Sequence, residues 1–187
     1  HNVDVLLDYG SSYGPGTATH HLTFYKHSSG ALFFGAGTIQ WSWGLDVNHD
    51  RGGSSVPDVR MQQATVNLLA DMFAQPVTLQ PGLVAASAST DDTAPTSSIA
   101  TPANGANVSV GSPVTISGTA ADAGGGVVGA VEVSTNGGAT WRPAHGRENW
   151  RYTWTPENAG SVTIRSRAED DSGNLEVPGA GISVTVN

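Results

Sequence analysis

The chain has 187 residues, enough for one or two domains. Its 16 acidic residues against 8 lysines and arginines give a formal net charge of -8, which disfavours nucleic acid and anionic membrane surfaces as partners, because both need clustered basic side chains. Cysteine is absent, which removes any disulfide framework, thiolate nucleophile or Cys-based metal site, and the 24 glycines and 10 prolines favour short strands and turns over long helices.

In chain order, Val3-Asp4-Val5-Leu6-Leu7 reads as a short strand, followed by a loop from Gly10 to Thr19 centred on Gly14-Pro15-Gly16. His1-Asn2-Val3-Asp4 itself reads as an interior cut, so the chain is expected to be a piece of a larger secreted or surface protein, extracellular or on the cell surface. No run is long and apolar enough for a transmembrane helix. His21-Leu22-Thr23-Phe24-Tyr25 alternates weakly as a strand does, and Ser28-Ser29-Gly30 turns the chain. Ala31 to Gly37 is continuously apolar, the pattern of a strand buried on both faces in a parallel sheet. Asp58 to Phe73 predicts a helix, with Val59, Met61, Val66, Leu69, Ala70 and Phe73 at three- and four-residue spacings and Gln75-Pro76 as its stop. Strand, loop and helix together predict that residues 1–80 are the C-terminal portion of an α/β domain, incomplete here because the strands are too few. Residues 81–92, mostly small, read as a linker.

From Thr93 onward the pattern changes. Short alternating stretches, separated by turn signals, predict an all-β immunoglobulin-like sandwich of seven or eight strands over residues 93–187. Expected strands are 97–100, 107–110, 114–120, 127–135, 140–144, 150–155, 161–169 and 181–186. Val131 and Val133 should point inward with Glu132 outward, and Arg165 and Arg167 should share a wet face. Asn136-Gly137-Gly138 and Asp171-Ser172-Gly173-Asn174 are turn signals. Trp141 or Trp154 is the expected anchor of the core.

The stretch from Val131 through Asn136-Gly137-Gly138 to Trp141, continuing through Trp150-Arg151-Tyr152-Thr153-Trp154 to Arg165-Ser166-Arg167-Ala168-Glu169-Asp170-Asp171-Ser172-Gly173-Asn174, resembles bacterial Ig-like domains. It is especially similar to the C-terminal domain of the sulfite-oxidase family, whose role there is oligomerisation. That resemblance implies no molybdenum chemistry, since the catalytic domain of that family has no counterpart here. Gly30 to Leu45, with Trp41-Ser42-Trp43, continuing into Gln62 to Leu69, is similar to the end of the N,N-dimethylformamidase large-subunit family. This second resemblance implies the close of an α/β domain without that family's iron-binding pattern of tyrosine and glutamate.

Several groups of residues invite a chemical reading. His20 and His21 are adjacent, so in a strand they point to opposite faces and cannot share an ion, while His27 and His49 are remote in sequence. Asp46, Asn48 and Asp50 place oxygens at alternate positions, as the start of a calcium loop does, but Arg51 stands where the turn glycine belongs and no glutamate closes the loop. A plain acidic loop is the competing reading. Trp41 and Trp43 would share one face of an extended segment and could stack on a carbohydrate; the competing reading packs them on the helix or linker. Arg147-Glu148 and Glu169-Asp170-Asp171 read as solvated loop charges. Ser42 lacks the glycines of a nucleophile elbow. The expectation is therefore a non-catalytic accessory, docking or spacer module with no cofactor beyond calcium. Its partner would be an upstream domain of the parent protein or another copy. The alternatives are a carbohydrate-binding module, or a fragment of an amide-hydrolase-like enzyme with its catalytic centre upstream.

Overall fold

The computed structural model describes residues 2–6, 12–17, 21–38, 40–48 and 56–187. The chain divides into two compact units, residues 1–88 and 89–187. No helix among the described residues is long and apolar enough to cross a membrane.

The first unit contains two antiparallel hairpins. Strands β1 (Asn2–Leu6) and β2 (Tyr13–Thr17) form one, and β3 (Thr23–Lys26) and β4 (Leu32–Gly35) form the other. The apolar run that predicted a doubly buried parallel strand is therefore one arm of a hairpin, and Phe33 is 57% exposed. Its run of large side chains arises instead from pairing within the hairpin, where Tyr25 and Phe33 face each other with ring centroids 5.8 Å apart. No parallel pair occurs among the described residues of this unit, so the parallel sheet of an α/β domain is not formed by them.

A 3₁₀ turn, Trp41–Gly44, leads towards helix α1, Val59–Asp71. Asp58 caps the helix by accepting a hydrogen bond from the Arg60 amide at 2.9 Å. Its carboxylate also accepts from the Arg60 side chain, and this side-chain bond chiefly holds its pKa down at about 2. Val66 and Ala70 are buried, whereas Val59 and Phe73, expected on the same stripe, are exposed. The helix stops before Pro76. Ala74 donates to Leu69 O and Phe73 to Ala70 O, both at 2.9 Å, with Phe73 in the left-handed region at φ 55°. This is a Schellman stop with a phenylalanine where glycine usually sits.

The second unit is a two-sheet sandwich of nine strands: β5 (Thr96–Thr101), β6 (Asn107–Val108), β7 (Val114–Ala121), β8 (Val128–Ser134), β9 (Arg142–Pro143), β10 (His145–Gly146), β11 (Asn149–Trp154), β12 (Gly160–Asp170) and β13 (Ile182–Val186). One sheet has the order β10-β11-β7-β5 and the other β6-β13-β12-β8-β9. The excess over seven or eight strands comes from residues 140–146, where one expected strand is replaced by two very short ones. Alternation does the rest. Val131 and Val133 are buried, while Glu132 is half-buried and pairs with Arg167 across the register of β8 and β12.

The core comprises Ile116, Ala120, Val128, Val131, Val133, Trp150, Ile164, Ala168 and Val184. Its tryptophan is Trp150, at 2% exposure, not Trp141 or Trp154. Trp154 packs at the margin of the cluster, on the same face four register pairs further along β11. The reason lies in the partner strand. Trp150 stands opposite Gly118 of β7, and a Cβ on Gly118 would come within 2.5 Å of the indole and 1.9 Å of Ser98 O. Only glycine leaves room for the ring at that position. Trp141 lies outside the core, with the Arg167 guanidinium 4.3 Å from its ring centroid.

Candidate functional site

The aromatic pair of the first unit is arranged by the 3₁₀ turn. Residues two apart in such a turn are rotated well away from each other, so Trp41 and Trp43 do not form the flat shared face that an extended segment would give. Trp41 is fixed from two sides. Its Nε1 donates to Thr65 Oγ1 of α1 at 3.1 Å, and its ring meets Phe34 edge-on with centroids 5.3 Å apart. The helix approaches closely because Gly44 has no side chain, a Cβ there falling 2.3 Å from Met61 Sδ. Trp41 also borders a depression of about 380 Å³ together with Leu22, Thr38, Asp58, Arg60, Met61 and Ala64.

The histidine candidates do not converge among the described residues. His27 organises the β3–β4 turn, with Nδ1 2.8 Å from Ser29 Oγ and accepting from the Ser29 amide at 3.1 Å. His21 is exposed, and His20 and His49 lie outside the described residues. Asp46 accepts from the Asn48 amide at 2.6 Å, closing an exposed turn, and Asp50 lies outside the described residues.

The sandwich holds a different constellation. Asp91, Asp122 and Asp170 each offer an oxygen within 4.8 Å of those of the other two. Asp91 precedes β5, Asp122 follows β7 and Asp170 ends β12, so three separate segments meet at one end of the sandwich. Asp170 is 5% exposed and does not behave as the solvated loop charge expected from its neighbours in sequence. Its Oδ1 accepts from the amides of Ser172 and Asn174, and its Oδ2 from Asn174 Nδ2, all at 2.8 Å. The same Asn174 Nδ2 donates to Asp91 O at 3.0 Å, tying residues read as linker to the sandwich. Asp91 Oδ1 accepts from the Thr93 amide at 3.0 Å and Asp122 Oδ1 from the Gly124 amide at 3.3 Å. The other oxygen of each, Asp91 Oδ2 and Asp122 Oδ2, is buried without a hydrogen-bond partner.

Gly124-Gly125-Gly126 wraps this cluster. A Cβ on Gly124 would lie 1.9 Å from Asp91 Oδ1, and one on Gly126 within 3.0 Å of Asp122 Oδ2, 2.8 Å of Asp91 Oδ2 and 2.5 Å of Asp171 Oδ1. Sequence reasoning passed over these residues because Asp91 fell in a small-residue stretch and Asp170 in a charged turn. The available signal was the placement of aspartates at the ends of strands, two of them beside glycine-bearing turns, in a chain only 13% charged.

On the outer face of β8 and β12, Arg167 Nε donates to Glu132 Oε2 at 2.7 Å beneath Trp141. Burial raises the pKa of the neighbouring Glu169, and the negative charges of Glu132 and Asp170 raise it further.

Residues 95–165 match the family model described as a bacterial Ig domain. Among solved structures, the chain is similar to the fibronectin(III)-like modules of Clostridium thermocellum CbhA, at 19% identity and a TM-score of 0.41, over 49% of this chain and 46% of that one. It is also similar to the PKD domain of an M14-like peptidase from a Thermoplasmatales archaeon, at 16% identity and a TM-score of 0.40, over 52% of this chain and 98% of that one. No curated protein matches the chain. The second unit is thus a two-sheet β-sandwich in which residues 95–165 match a bacterial Ig domain, and domains of that kind typically serve as accessory or spacer modules.

Proposed function

We infer that the chain is a non-catalytic accessory module with a docking or spacer role in a larger secreted or surface protein. The observation that carries this reading is the self-contained core of the sandwich. Ile116, Val131, Trp150, Ile164 and Val184 are each no more than 2% exposed and are drawn from both sheets. A module that buries its own core can hold its shape as a spacer or present an outer face to a partner. The partner is an upstream domain of the parent protein or another copy of the chain, the latter in keeping with the resemblance to an oligomerisation domain. A carbohydrate-binding reading draws on the depression beside Trp41. It is weakened by the ring's engagement with Phe34 and Thr65, which leaves less of the indole free for stacking.

The test uses the full chain. Amide and ester hydrolysis is assayed with added iron and zinc, and tryptophan fluorescence is titrated with several polysaccharides. The expected result is no turnover and no saturable quenching. Metal-dependent turnover lost in His21→Ala would overturn the non-catalytic reading. Quenching abolished by Trp41→Ala or Trp43→Ala would replace it with carbohydrate binding.

A further inference from the structure

We propose that Asp91, Asp122 and Asp170 form a calcium site at the end of the sandwich where residues 89–95 join it. The first observation is convergence. Oxygens that share one calcium ion at about 2.3–2.6 Å lie no more than roughly 5 Å apart, and the three aspartates meet that limit with oxygens mutually within 4.8 Å. The second observation is independent of the clustering. Asp91 Oδ2 and Asp122 Oδ2 are sealed from solvent and accept no hydrogen bond, and buried carboxylate oxygens are costly unless paired with a donor or cation. Both lie within 3.0 Å of the point where a Gly126 side chain would begin, so they face a common space that the glycine leaves open.

No lysine, arginine or histidine among the described residues forms an ion pair with any of the three; the ion pairs described are Arg60–Asp58 and Arg167–Glu132. The ligand therefore has to bring positive charge of its own. All donors are oxygens, which selects a hard cation over zinc or copper. Calcium suits the site better than magnesium, because ligands drawn from three separate chain segments give an irregular shell, whereas magnesium demands a near-ideal octahedron and sheds water reluctantly. Asp91 Oδ1 and Asp122 Oδ1 are already held by the backbone amides of Thr93 and Gly124, and both oxygens of Asp170 by Ser172 and Asn174, which fixes the carboxylates before the ion arrives. A bound ion would lock the segment before β5 to the ends of β7 and β12. The site shares no residue with the loop containing Asp46 and Asn48.

The experiment is calcium titration of the chelator-treated full chain by isothermal calorimetry, with thermal unfolding followed in calcium, in magnesium and in EDTA. The wild type is expected to bind one calcium ion at this site and to melt at a higher temperature in calcium, with a smaller shift in magnesium. Asp91→Asn and Asp122→Asn should each lower calcium affinity at least tenfold, while both proteins keep the wild-type circular dichroism spectrum in EDTA. Asp46→Asn should bind calcium as the wild type does. The proposal is overturned if millimolar calcium gives neither heat nor a melting shift, or if Asp91→Asn and Asp122→Asn bind like the wild type. It is overturned equally if Asp46→Asn abolishes binding.

Discussion

Trp150 and Gly118 define one another. The indole occupies the volume that a β-carbon on Gly118 would need, so the two positions must be considered together. Trp150→Ala should cost about 3–5 kcal/mol, the usual range for removing a buried tryptophan, measured by urea unfolding of the full chain. Gly118→Ala should cost about 1–3 kcal/mol or more, because the clash involves the Ser98 carbonyl as well as the ring. Trp150→Phe should be milder than Trp150→Ala, since phenylalanine keeps an aromatic ring in the core while losing only part of the volume and an indole Nε1 that is buried without a partner. Glu169 gives a prediction of opposite sign. Burial raises its folded-state pKa, so the native state binds more protons than the unfolded one between the two values. Stability contributed by this group therefore falls as pH rises through that window, and the charge costs stability at neutral pH. Glu169→Gln should be more stable than the wild type at pH 7, and the difference should vanish below the ordinary glutamate value of about 4.3. A variant equally or less stable at pH 7 would contradict this.

At the scale of elements, the helix of the first unit ends on an unfavourable residue. Phe73 sits at φ 55° and is 89% exposed, so it bears the strain of the left-handed region with little packing in return. Phe73→Gly should stabilise the chain by about 1 kcal/mol, the approximate cost of that conformation for a residue with a β-carbon, read as a higher urea midpoint at unchanged slope. Loss of stability would show that the exposed ring makes an unrecognised contact. Strand and helix periods were legible in the sequence wherever one face is buried. The alternation in 114–121 and 160–170 is matched by alternating burial in β7 and β12. They were less legible where pairing partners decide the outcome. Ala31 to Gly37 has the composition of a buried parallel strand, but the nearby turn at Ser28-Ser29-Gly30 allows the hairpin that forms, with Gly30 donating to His27 O at 2.8 Å. Likewise, Gly118 had to be known as the neighbour of Trp150 before that tryptophan could be chosen over Trp141 and Trp154. The carboxylate cluster was hidden for the same reason. Asp91, Asp122 and Asp170 are distant in sequence and meet only through the register of the folded strands.

For the whole molecule, the central claim is that residues 89–187 form a module around one continuous core, on which the proposed spacer or docking role rests. The match of residues 95–165 to a bacterial Ig domain supplies the fold class, and the arrangement of the carboxylates supplies a place where an ion would reinforce it. Both depend on the sandwich behaving as a cooperative unit. Native-state hydrogen exchange on the full chain tests this most directly, because amides released only by complete opening of a unit share one opening free energy. The amides of Ile116, Val131, Trp150 and Ile164 should converge on a single value, the highest in residues 89–187. If they instead exchange at unrelated and small opening free energies, the sandwich has no common core and the account of it as a self-supporting module is wrong.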